Sequence, residues 1–99
     1  MISKTELQLI DTQYFNILQM GCFAIFVQSK NTKHFWGIHV AEYPTFRNFK
    51  VYHKHNSHDQ YHRHRDARNL KTAIEHIKSH DAFQLNGRKS IEKILAETV

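Results

Sequence analysis

Val51-Tyr52-His53-Lys54-His55 and Gln60-Tyr61-His62-Arg63-His64 are near copies of one another. Between them lies Asn56-Ser57-His58-Asp59, a short polar loop of the kind that closes a hairpin. With a tight loop, His53 pairs with His62, Lys54 with Tyr61 and Tyr52 with Arg63. Side chains alternate faces along a strand, and directly opposed residues share a face. One face of the hairpin is therefore expected to carry His53, His55, His62 and His64. The other is expected to carry Tyr52, Lys54, Tyr61 and Arg63.

Upstream, Phe23 to Gln28 is apolar at almost every position and reads as a strand covered on both faces. Cys22, at the head of this run, reads as a small buried hydrophobe rather than a reactive thiol. His34 to Val40 alternates, with Trp36, Ile38 and Val40 on one face, and Ser29-Lys30-Asn31-Thr32-Lys33 supplies the polar turn between the two strands. Gln13 to Met20 admits two readings. Ser3 with Glu6 resembles a capping box, and Leu7, Ile10, Tyr14, Ile17 and Leu18 recur at helical spacing. A strand is preferred, because Gly21 then makes the turn into Cys22. After a loop centred on Pro44, Phe49 to His55 forms a further strand.

Downstream, the spacing predicts a helix from Asp66 to about His80. Leu70, Ala73, Ile74 and Ile77 form an apolar stripe suited to docking on a sheet. Beyond Asn86-Gly87, Ser90 can cap a second short helix with Ile91, Ile94 and Leu95 facing inward. The expected fold class is α+β: an antiparallel sheet of about four to five strands with one main helix packed on one face and a short C-terminal helix.

Ninety-nine residues with 40% hydrophobic composition suffice for one core and not for two, so residues 1–99 read as a single domain. With three Gly and one Pro, no segment reads as a linker. A single cysteine excludes an intramolecular disulfide and a thiolate zinc knuckle, and suits a reducing, cytoplasmic setting. Met1-Ile2-Ser3-Lys4-Thr5-Glu6 lacks the charge cluster and apolar core of a signal peptide. The longest apolar run is too short to span a bilayer, so no membrane partner is expected.

A formal charge of +5 makes nucleic acid or another polyanion the default partner. Tyr52 and Tyr61 offer rings to stack on bases, while Lys54, Arg63, Arg65 and Arg68 offer cations for phosphates. Nine histidines are present, seven of them between His53 and His80. Two His-x-His strands side by side aim His53, His55, His62 and His64 together as candidate ligands for Zn, Ni or Cu. His76 and His80, one helical turn apart, form a second candidate pair. The competing reading is that these imidazoles are half-exposed polar fillers.

Catalysis has little support. His53 and His62 can act as acid and base in principle, but Lys54 points to the other face, and no nucleophile elbow or phosphate-cradling Gly loop is present. No catalytic residue is assigned. The expected function is a small, basic, non-enzymatic nucleic-acid-binding accessory protein. The alternatives are an inhibitor or adaptor, such as one encoded by a mobile element, that binds a host or partner protein, and a histidine-based metal-binding protein.

Overall fold

A computed structural model describes residues 1–43 and 46–86. In chain order it contains α1 (Lys4–Leu7), β1 (Phe15–Met20), β2 (Ala24–Ser29), β3 (Phe35–Glu42), β4 (Arg47–Lys54), β5 (His62–Ala67) and α2 (Leu70–Leu85). The five strands form one antiparallel sheet in sequential order, so every strand lies beside its chain neighbour. Together with α2 this gives an α+β architecture. The expected short helix after Ser90 falls outside the described residues. Among the described residues no helix is long and apolar enough to cross a membrane.

Over Gln13 to Met20 the strand reading holds, as β1, and the rival helical spacing through Ile10, Tyr14, Ile17 and Leu18 is not realised. Ser3 and Glu6 do form a capping box, but the helix it starts ends at Leu7. The backbone amides of Tyr14 and Phe15 then bond the Asp11 carbonyl, and this turn feeds β1. The run from Phe23 is not covered on both faces. In β2 the burial alternates, with Ile25, Val27 and Ser29 inside and Phe26 partly open on the other side. Cys22 precedes β2 and is exposed rather than buried, because an apolar neighbour in sequence gives a residue no cover when it lies in the connection.

The β2–β3 turn brings Lys33 into the left-handed region at φ 66°. It is closed by the Ser29 amide donating to the His34 carbonyl at 3.0 Å. At the other end of the sequence the helix begins at Leu70, later than the expected start at Asp66. Asp66 lies inside β5 and bonds Arg63 at 2.7 Å. Asn69 is the true cap: its side chain accepts from the Thr72 amide at 2.8 Å, which relieves one unsatisfied donor of the first turn. The helix then runs past His80 to Leu85.

The stripe Leu70, Ala73, Ile74 and Ile77 is buried in one cluster with Phe15, Ile25, Val27, Trp36, Ile38, Phe49 and Val51 from the sheet. A polar clamp fixes the far half of the helix. Asp81, fully buried, accepts from Tyr14 Oη at 2.6 Å, Ser29 Oγ at 2.6 Å and Thr32 Oγ1 at 3.0 Å. Buried carboxyl oxygens demand such partners, and here the donors come from the start of β1 and the β2–β3 turn. Burial, followed by the bond to Asp81, pushes the Tyr14 phenol well above its ordinary pKa.

Two irregularities interrupt the ladder. Ile17 opposes Val27 while Gln19 opposes Phe26, leaving Leu18 as an extra residue in β1. Val51 opposes Arg65 while Tyr52 opposes Arg63, leaving His64 as an extra residue in β5. Such bulges bend a strand and redirect its side chains.

Candidate functional site

The β4–β5 hairpin sorts its side chains by face. Tyr52 opposes Arg63 and His53 opposes His62. Along β4, Phe49, Val51 and His53 are buried while Lys50, Tyr52 and Lys54 are partly open, so the strand presents Tyr and Lys on the side away from the core. Tyr61 lies just before β5, and the Lys54 ammonium sits 4.5 Å from its ring centroid and 5.4 Å from that of Phe35. The Arg63 guanidinium lies 5.8 Å from the Tyr52 centroid.

This outer face is larger than the hairpin. Phe26 of β2 reaches to 5.5 Å from His39 and 5.8 Å from Tyr61, and His39 lies 5.0 Å from Tyr52. These four residues line a shallow cleft of about 280 Å³. Gly37, opposite Phe26, makes the arrangement possible: a Cβ there would lie 3.0 Å from the Phe26 ring. Burial alone lowers the His39 pKa and raises that of Tyr61. A neutral imidazole and a neutral phenol are thus favoured beside the cations.

Not every predicted contact residue belongs to this face. Arg65 opposes the buried Val51 and lines a separate cleft of about 330 Å³ with His64, His76, Ser79 and His80. The extra residue His64 shifts the alternation and carries Arg65 to the core side. Arg68 is exposed in the turn between β5 and α2. Arg63 is held by Asp66 through its Nε and Nη2 atoms at 2.7 to 2.9 Å, so its charge is partly offset. The missed residues Phe26, Phe35, His39 and Lys50 come from alternation in β2, β3 and β4, and a register assigned beyond the hairpin would have found them.

The other side of β4 gathers imidazoles. His53, 2% exposed, has its ring 4.2 Å from Trp36, 4.9 Å from His55, 5.2 Å from His62 and 6.0 Å from His64. The four histidines predicted to share a face therefore do lie around His53. The tightest grouping is a different one, however. His34 Nδ1 lies 3.0 Å from His53 Nε2, and His80 of α2 completes a trio whose ligand nitrogens all lie within 4.8 Å of one another. His55 stacks on His34 at 4.2 Å, and His64 lies 4.9 Å from His80.

Desolvation lowers the His53 pKa to about 3, with further contributions from His80, His34, His55 and His62. His64 is lowered for the same first reason. Two buried nitrogens, Trp36 Nε1 and His76 Nδ1, have no hydrogen-bond partner among the described residues. His80 was already a candidate ligand, though paired with His76 along the helix; its grouping with His53 and His34 depends on tertiary contacts, since nineteen positions separate His34 from His53 and His80 arrives on a helix. No known protein family, curated protein or solved structure matches the chain.

Proposed function

We propose that the chain binds single-stranded nucleic acid, without chemistry, on the outer face of its sheet, while α2 packs across the opposite face. The observation that carries this reading is the interleaving of Phe26, Tyr52 and Tyr61 with Lys54 and Arg63 on one partly open surface. Every base has a π-face, so such rings take bases with little sequence preference, and adjacent cations meet the backbone. A duplex fits less well, because a flat sheet face offers neither a helix nor a ribbon to a groove. A reducing, intracellular setting suits a chain whose sole cysteine is exposed.

The test is fluorescence anisotropy with labelled single-stranded DNA and RNA at several salt concentrations. Contacts from Lys50, Lys54 and Arg63 give a log–log salt slope of about −2, at about 0.7 per phosphate for a single strand. Tyr61→Ala should cost about 1–3 kcal/mol of binding without changing that slope, whereas Lys54→Ala should reduce it. Absence of binding at low salt, or affinity indifferent to salt, refutes the proposal.

A second reading rests on β1, where Ile17, Leu18 and Met20 are 40 to 51% exposed beside Phe23 at 59%. An apolar lip of this kind suits a partner protein. Failure to bind oligonucleotides, with substitution of Leu18 and Phe23 by Ser abolishing a defined protein complex, would favour the adaptor over the nucleic-acid binder.

A further inference from the structure

We infer that His34, His53 and His80 form a mononuclear site for a divalent transition ion, best suited to zinc. They come from three separate elements: the entry to β3, the end of β4 and the third turn of α2. A tetrahedral ion bound at about 2.0–2.1 Å sets its nitrogen ligands about 3.3 Å apart. The nitrogens of the trio are separated by 3.0 Å at the closest and by no more than 4.8 Å. Movements of about an ångström, within the reach of side-chain rotation alone, bring all three onto one ion.

Their backbones are already held. His53 lies in a strand paired on both sides, opposite Trp36 and His62. The His34 amide donates to Thr32 Oγ1 at 3.2 Å and its carbonyl accepts from Ser29. His80 adjoins Asp81, whose three hydroxyl partners anchor that turn of the helix. Only imidazoles compose the trio, and imidazole donors suit zinc, copper or nickel while magnesium and calcium need oxygen. Three protein ligands leave a fourth position for water. A cleft lined by His64, Arg65, His76 and Ser79 opens beside His80, one of the three ligands. Zinc bound by the trio would tie α2 to β3 and β4 and so stabilise the fold, whether or not the opposite face binds nucleic acid.

The test uses untagged, full-length protein stripped of metal by chelator. Isothermal titration with Zn²⁺ should give one ion per chain. Substitution by Co²⁺ should give visible ligand-field bands of four-coordinate intensity. Free zinc at about 100 times its dissociation constant should shift the folding equilibrium about 100-fold. His34→Gln and His80→Gln, both at half-buried positions, should each weaken binding at least about tenfold while circular dichroism reports an intact fold. His58→Gln in the exposed hairpin loop should leave it unchanged. Should either ligand variant fail to fold, competition by Co²⁺ in the wild-type protein still reads coordination number directly. Absence of binding, six-coordinate cobalt, or several weak equivalents indifferent to His34→Gln and His80→Gln would each overturn the inference.

Discussion

Replacing Asp81 by Ala removes the acceptor for three hydroxyls at once. Tyr14 and Thr32 are half-buried and can turn to water, but Ser29 is fully buried and cannot. Stranding one buried donor costs about 1–3 kcal/mol, and each of the two recoverable bonds about 1 kcal/mol, so the loss sums to about 3–5 kcal/mol. That is comparable with the whole stability of a domain this size, about 5–15 kcal/mol. Asp81→Asn should behave differently. Its amide oxygen can take the place of Oδ2, which accepts from both Tyr14 and Ser29. Its NH₂ group then faces Thr32 Oγ1, which can accept as well as donate. The expected cost falls to about 1–2 kcal/mol. Urea unfolding followed through the fluorescence of Trp36, the sole tryptophan, measures both. An Ala variant within about 1 kcal/mol of wild type would refute the clamp, and equal losses in Ala and Asn would refute the assignment of its donors.

The remaining predictions concern pH, the outer face and the helix start. Because the folded His53 has its pKa lowered to about 3 from 6.5, the unfolded chain takes up a proton that the folded chain refuses between those values. Stability is therefore full above about pH 6.5 and falls on acidification at up to about 1.4 kcal/mol per pH unit. Allowing for screening, about 1–2 kcal/mol should be lost by about pH 4.5; His39 and His64 act in the same direction. Denaturation with chelator present checks this, and a flat profile over that window contradicts it. Gly37→Ala places a methyl 3.0 Å from the Phe26 ring, so the ring must tilt. Oligonucleotide affinity should drop several-fold while stability changes by no more than about 1 kcal/mol; unaltered anisotropy curves would count against a role for Phe26. Asn69→Ala should cost about 1 kcal/mol through loss of the cap, and Asn69→Asp should largely restore it. Thermal unfolding that ranks Ala equal to Asp would contradict the assignment.

The sorting of the hairpin was legible because strand alternation has a period of two and Val51–His55 is nearly repeated at Gln60–His64. The apolar stripe of α2 was legible for the corresponding helical reason. What escaped was set by position in three dimensions. Arg65 changed sides because His64 is an extra residue in β5, and no local pattern marks a bulge among consecutive His and Arg. Asp66 and Asn69 are both good caps by composition, and Asp66 was taken up by Arg63 in the strand. Cys22 belongs by composition to an apolar run, but the strand begins at Ala24. His53 was recognised in its local pair, whereas its nearest nitrogen neighbour, on His34, reached it through the β3–β4 pairing.

The two extra residues, Leu18 and His64, sit in the first and last strands of the sheet. Among the described residues, those are the strands with a neighbouring strand on one side only. An uninterrupted, apolar margin of that kind would invite copies of the chain to add to it end over end into fibrils. A kink in each margin spoils the regular spacing such stacking requires. Deleting Leu18 would straighten the more apolar margin, and the variant would be expected to form thioflavin-positive aggregate at concentrations where the parent chain stays dispersed.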